Sequence, residues 1–378
     1  MRGLAVAAGV AVLAGAGYLA AWPVPVEPVA WAAPENPGYA GPHAVNERLA
    51  GLQRIELNGQ EGPEHVALGP DGKVYLTVLS GEILRMRPDG TGLELFARTG
   101  GRVLGFDFDA DGNLIAADAE LGLLAIAPDG AVRVLADSFA GPDGTAQPIR
   151  YADGVAVAGD GKIYFTDASA RFAPAEWGGT FQASVMDILE NSATGSVLVH
   201  DPGAGTTELV LGGLSFANGI ALSQDGRTLF VNETGRYRVW TVDASARNLG
   251  AAAPDGRAAV LLDNLPGYPD NLLRGRDGRI WLGFAKPRSP VVDRLAGSPE
   301  LRKVTMRLPR SLWPVPKPYG HVIAFDEQGG IVADLQDPSG AYPESTGVLE
   351  LEDRLYIMSL HAGWLGWMPC DGCLRTGS

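Results

Sequence analysis

Four oxygen-bearing residues recur at one fixed distance from a repeated turn. Glu64, Asp153, Asn218 and Asp270 each stand seven positions before an aspartate, at Asp71, Asp160, Asp225 and Asp277. The same spacing selects Leu104 before Asp111 and Thr346 before Asp353. Carboxylates and a carboxamide at one depth are ligands for a hard cation, Ca²⁺ or Mg²⁺. Three carboxylates packed without a cation would repel, and at least one would take up a proton. None of the five histidines (His43, His65, His200, His321, His361) falls in this register, which argues against zinc there. The alternative is that the Asp and Asn residues only cap strand starts. Two positions before the register sit Tyr151, Phe216 and Tyr268. Their parity puts them on the same side, where they either wall a substrate pocket or pack between neighbouring units.

The elements that hold these residues follow from the turns. PDGKVYLT, ADGNLIAAD, GDGKIYFTD, QDGRTLFVN and RDGRIWLGF share an Asp-Gly turn followed by a short β-branched and aromatic run, and EDRLYIMSL is a weaker sixth copy. Glycine supplies the positive φ, and the aspartate before it accepts local backbone hydrogen bonds. The copy at 214–242 shows three successive strands. Six copies of a four-stranded meander predict an all-β, six-bladed β-propeller. Innermost strands line a propeller's channel, so the seven-residue register predicts a ring. The lone strand QRIELNG near Gly51 reads as an outer strand completing the last blade, which closes the ring and removes its exposed edges.

At 378 residues and 46% apolar content the chain has ample core for one large domain, placed at 51–378. The net charge of −14 argues against nucleic acid as a partner. Residues 1–22 are apolar after one arginine and read as a membrane anchor or a signal peptide; either exports the body, to a membrane-tethered or secreted state. Residues 23–50 are proline-rich and form a spacer or an arm on the body. Insertions at about 168–195 and 285–319 carry helices, expected at 182–190 and at 290–308 with a break at 297–299. The second holds Lys286, Arg288, Arg294, Arg302, Lys303, Arg307, Arg310 and Lys317 against Asp293 and Glu300. It reads as a basic cap at the channel mouth that faces anionic lipid or substrate, or as a solvated face. Cys370 and Cys373 suit a small disulfide loop. There is no G-x-S-x-G, H-E-x-x-H or P-loop motif.

FANGIALS, YPDN and IYFTDASARF resemble the strictosidine synthase-like branch of the SMP-30/gluconolactonase superfamily, over roughly 51–368. Its animal members, the adipocyte plasma membrane-associated proteins, are anchored by an N-terminal segment. The resemblance implies a six-bladed propeller with a divalent metal in the channel, usually calcium, held by a Glu, two Asn and an Asp. Glu64 of GPEH, Asn218 of FANG and Asp270 of YPDN match three of these places, with Glu61 a competitor for the first. At the fourth, relatives often read Asn-Asp and this chain has Ala152-Asp153; turn spacing favours Asp153. The resulting expectation is a metal-dependent hydrolase of lactones or aryl esters. The metal polarises the carbonyl, Asp270 activates water or attacks, and Asn218 positions substrate. A condensing enzyme and a non-catalytic binding propeller are the alternatives. The strictosidine synthase reaction depends on a Glu at the start of the sixth blade, where this chain has Thr346, so condensation is not expected.

Overall fold

The computed structural model describes residues 2–370. Cys373 lies outside them; Cys370 is disulfide-bonded. The chain is an all-β propeller. Among the described residues, the strands form five four-stranded sheets and one seven-stranded sheet. Each four-stranded sheet is an antiparallel meander, as the turns require. In the first copy, Gly72 takes φ +75° between strands Val66–Leu68 and Val74–Thr77, and Asp71 accepts the amide of Lys73. The third copy departs from the uniform four-stranded pattern. It gains the short strands Ser138–Ala140, Ala146–Pro148 and Leu249–Gly250 at its outer side. The first strand, Gln53–Glu56, pairs antiparallel with the last, Trp364–Pro369, so the two ends of the chain share one sheet. This is the closure expected of the lone N-terminal strand.

The core lies between sheets. Second strands such as Ile163–Asp167 are buried at every position, whereas the outermost Val132–Ala136 is exposed along most of its length. Burial on both faces explains their nearly continuous apolar runs. Near the axis the sheets converge, and the innermost strands are bulged where the register residues sit. Pairing shifts between Ala152 and Val155, Ala217 and Ile220, Pro269 and Leu272, and Ser345 and Val348. A bulge re-aims the extra residue, here Asp153, Asn218, Asp270 and Thr346. Gly154 and Gly219 follow two of them. A Cβ on Gly219 would lie 2.5 Å from the Asp270 carbonyl oxygen, and one on Gly154 2.9 Å from that of Asn218. Only glycine lets adjacent copies approach so closely.

Helix α1 (Arg2–Ala21) precedes the arm. Among the described residues, no helix is long and apolar enough to cross a membrane, so the anchor expected at 1–22 is not supported. The end of α1 is tied to the propeller's cap: Arg307 donates to the carbonyls of Leu19 (2.8 Å) and Trp22 (2.6 Å). A cation there complements the negative end of the helix dipole. The first insertion holds α2 (Pro174–Trp177) and α3 (Thr180–Glu190); the second holds α4 (Pro290–Leu295) and α5 (Pro299–Arg307).

Part of the basic cap is not a solvated face, although Arg294, Arg310 and Lys317 are exposed. Arg288, Arg302 and Arg307 are buried. Arg302 donates to the carbonyls of Leu189 (2.8 Å), Ala296 (3.1 Å) and Val29. Arg288 donates to the carbonyl of Pro34 (2.7 Å) and to Asp293. Orphan carbonyls at the ends of α3 and α4, and of the proline-rich arm, need donors. The arginines supply them, so residues 23–36 lie as a strap over both insertions.

Candidate functional site

The channel opens into a cavity of about 210 Å³ beneath the two insertions. Glu64, Asp153, Asn218, Asp270 and Leu104 line it together with Tyr151, Phe216 and Tyr268. The four polar register residues are 4–6% exposed. Ala152, at 0%, packs in the core between sheets, so it is Asp153 that faces the channel. Glu61 is exposed to solvent and does not line the cavity; Glu64 does. Thr346 turns away, donating its hydroxyl to the Glu64 carbonyl (2.8 Å).

Main-chain positions around the ring are locked from neighbouring strands. Thr166 donates to the carbonyl of Asn218 (2.7 Å), and Asn232 to that of Asp270 (2.5 Å). Asn271 adds a second donor to the Glu64 carbonyl (2.9 Å). Bulges thus aim Asp153, Asn218 and Asp270, and the main chain at Glu64, Asn218 and Asp270 is held by hydrogen bonds from neighbouring copies. Asn218 Nδ2 donates to Asp270 Oδ1 at 2.9 Å, which leaves Asn218 Oδ1 buried without a partner.

The electrostatics are dominated by burial. Desolvation pushes the Asp153 and Asp270 carboxyls well above the ordinary carboxylate range. Neighbouring carboxylates add to the rise: Asp270 and Glu64 act on Asp153, and Glu64 acts on Asp270. Burial also raises Glu64, against the opposing pull of Arg102. Arg102 Nη2 lies 2.5 Å from Glu64 Oε2, and Nη1 donates to the Val78 carbonyl.

Arg102 was not singled out from the sequence, yet a signal for it exists. It stands two positions before Leu104, where Tyr151, Phe216 and Tyr268 stand before their own register residues. Glu344 stands likewise before Thr346 and is bonded by both Lys286 and His361, which line the cavity. In the sequence, only the aromatic residues of this upper layer point to a pocket. Tyr151 packs edge-on against Phe216 at 5.3 Å and donates to the carbonyl of Thr180 (2.9 Å), at the start of α3. Tyr268 packs against Tyr237 at 5.0 Å. Phe181, Val185, Ile188 and Leu189 of α3 and the segment 313–316 complete an apolar wall.

The donor set fits a divalent hard cation. It offers oxygen only, includes an orphaned carboxamide oxygen, and sets three carboxylates against one guanidinium. The excess of two negative charges matches one divalent ion.

Residues 69–311 match the SMP-30/gluconolactonase/LRE-like region, and residues 41–86 the strictosidine synthase-like N-terminal region. Strictosidine synthase-like protein 6 of Arabidopsis thaliana is 32% identical over 308 residues, covering 80% of this chain and 76% of the relative. The adipocyte plasma membrane-associated protein of Salmo salar is 29% identical over 367 residues, covering 90% and 83%. A gluconolactonase from Xanthomonas campestris superposes with a TM-score of 0.58 at 19% identity, covering 92% of this chain and 98% of that one. A calcium-binding regucalcin from Agrobacterium tumefaciens gives 0.53 at 15%, covering 84% and 93%. These last two likenesses concern the fold.

Proposed function

Since the chain belongs to the strictosidine synthase-like branch of the SMP-30/gluconolactonase family, we propose that it is a divalent-cation-dependent hydrolase of apolar lactones or aryl esters, acting in the channel. The observation that carries this reading is the buried constellation of Glu64, Asp153, Asp270 and the orphaned Oδ1 of Asn218 under an apolar wall. These four residues would hold the cation, Ca²⁺ ahead of Mg²⁺ because three carboxylates and a carboxamide exceed the one or two carboxylates that Mg²⁺ usually takes. Such an ion supplies Lewis-acid polarisation of the substrate carbonyl.

The chain's own residues do the rest. Asp270 is oriented by Asn218 and accepts the proton of the attacking water. Arg102 holds Glu64 in place and limits the local charge. Tyr151, Phe216 and Tyr268 wall the site with α3 and the 313–316 segment, favouring an apolar acyl or aryl group and excluding bulk water. Thr346, engaged by the Glu64 carbonyl, offers no base for condensation. A disulfide at Cys370 and the name of the Salmo salar relative support a place outside the cytoplasm, in contact with membranes.

The test is a hydrolysis screen of lactones and aryl esters with added Ca²⁺ and with chelator. Turnover that is lost in chelator and restored by Ca²⁺ supports the reading; cation binding without turnover of either class would favour a binding propeller.

A further inference from the structure

A second group of metal-ligating side chains lies away from the channel, where the N-terminal arm meets the fifth copy. His43 ends the turn Gly41–His43 of the arm. His321 lies in strand Gly320–Phe325 and Asp334 in its antiparallel partner Ile331–Asp337. His43 Nδ1 is 2.8 Å, and His321 Nε2 3.0 Å, from one and the same oxygen, Asp334 Oδ2. The other oxygen is fixed separately, by Gln336 Nε2 at 2.5 Å and Asn46 Nδ2 at 3.1 Å. Side-chain exposures are 12% for His43, 1% for His321 and 8% for Asp334. Phe284 stacks on His321 at 4.5 Å.

Three features separate this group from an ordinary polar contact. Two imidazole nitrogens and one carboxylate oxygen converge from three chain segments, all within 4.8 Å of one another. Their N···O separations fall a few tenths of an ångström short of the roughly 3.3 Å that two bonds of about 2.0–2.1 Å span at a tetrahedral angle, so a small opening of the group admits one ion. The carboxylate is turned by two amides bound to its far oxygen, as outer partners turn a ligating carboxylate. The nitrogen donors select a borderline ion of the zinc class over Ca²⁺. None of the three residues lines the channel cavity, which argues for a holding role rather than turnover.

We propose that His43, His321 and Asp334 form a second metal site, for a zinc-class divalent ion, that staples the N-terminal arm to the outer strands of the fifth copy. The ion would close a loop of roughly 290 residues between His43 and Asp334. Its site is independent of the oxygen-only ring in the channel.

The experiment uses the full, untagged chain, stripped with chelator and returned to excess Ca²⁺ so that the channel ring is satisfied. Co²⁺ is then titrated and its visible ligand-field absorption followed. The expected result is a saturable band at one equivalent, displaced by Zn²⁺. His43→Ala, on the arm, should abolish the band, and Asn46→Ala should weaken Co²⁺ binding by about 10–100-fold. Asp270→Asn should leave the band unchanged. Absence of a saturable band would overturn the proposal and leave a hydrogen-bonded clasp. A band that survives in His43→Ala, or one lost in Asp270→Asn, would overturn it too.

Discussion

Arg102 gives the sharpest view of how the channel balances its charge. Arg102→Met keeps the aliphatic stem and removes the guanidinium. Two buried acceptors then lose a donor, Glu64 Oε2 and the Val78 carbonyl. Removing one partner of a buried pair costs about 3–5 kcal/mol. Because burial already favours the neutral form of Glu64, protonation of that carboxyl holds the loss near about 3 kcal/mol in chelator. Cation binding moves the other way. Once Ca²⁺ displaces that proton, the variant ring offers it one more uncompensated negative charge, so Ca²⁺ should bind about tenfold more tightly, worth about 1.4 kcal/mol. At fixed free Ca²⁺ that gain appears directly in stability, because the ion binds the folded chain. Urea unfolding of wild type and variant at pH 7, once in EGTA and once in Ca²⁺, reads both effects. The loss should be about 3 kcal/mol in EGTA and below about 2 kcal/mol in Ca²⁺. Equal losses in the two buffers, with unchanged or weakened Ca²⁺ affinity, would refute the charge balance.

Further predictions concern the lids and the control position. Burial pushes the Asp187 carboxyl on α3 up to about 7, with Glu190 and Asp167 adding to the rise. Its folded pKa lies above the unfolded value of about 3.9, so the folded chain holds the extra proton. Stability in Ca²⁺ should therefore fall as pH rises from about 4 to about 7 and then level, and Asp187→Asn should flatten that decline in urea melts at pH 5 and pH 8. Arg302→Met should release the strap and speed limited proteolysis within residues 23–36, whereas Lys303→Glu, on an exposed pair with Glu300, should not change it. Leu104→Ala should leave Ca²⁺ affinity within a factor of about two, since an apolar side chain offers no ligand. The purified chain should not condense tryptamine with an aldehyde; product formation would show that a base other than Thr346 serves.

The ring was legible because its register is covalent in origin. Turn, strand and bulge keep a constant count between Asp71 and Glu64, and between Asp277 and Asp270, so equal spacing means equal depth. The same count two positions earlier reaches Arg102 and Glu344, charged residues that break the aromatic pattern of that layer. Three arginines of the second insertion depart from a solvated face for a physical reason. Charge density in a sequence suggests a wet surface, yet the ends of α3 and α4 and the proline-rich arm leave carbonyls that only long donors reach. Arg288, Arg302 and Arg307 are therefore structural cations. The extra strands of the third copy were illegible because 138–148 is short, polar and turn-rich, with pairing set by neighbours rather than by pattern. The approach of His43 to Asp334 is likewise invisible in a chain where some 290 residues separate them.

The central claim is that the channel ring holds a divalent cation through its own side chains. Calorimetric titration of chelator-treated protein with Ca²⁺ tests it most directly, with wild type set against Asp270→Asn, Glu64→Gln and Leu104→Ala. The account predicts one equivalent bound by wild type and by Leu104→Ala, and affinity lower by at least about tenfold, about 1.4 kcal/mol, in each carboxylate variant. Binding that is absent from wild type, or undiminished in Asp270→Asn and Glu64→Gln, would contradict it.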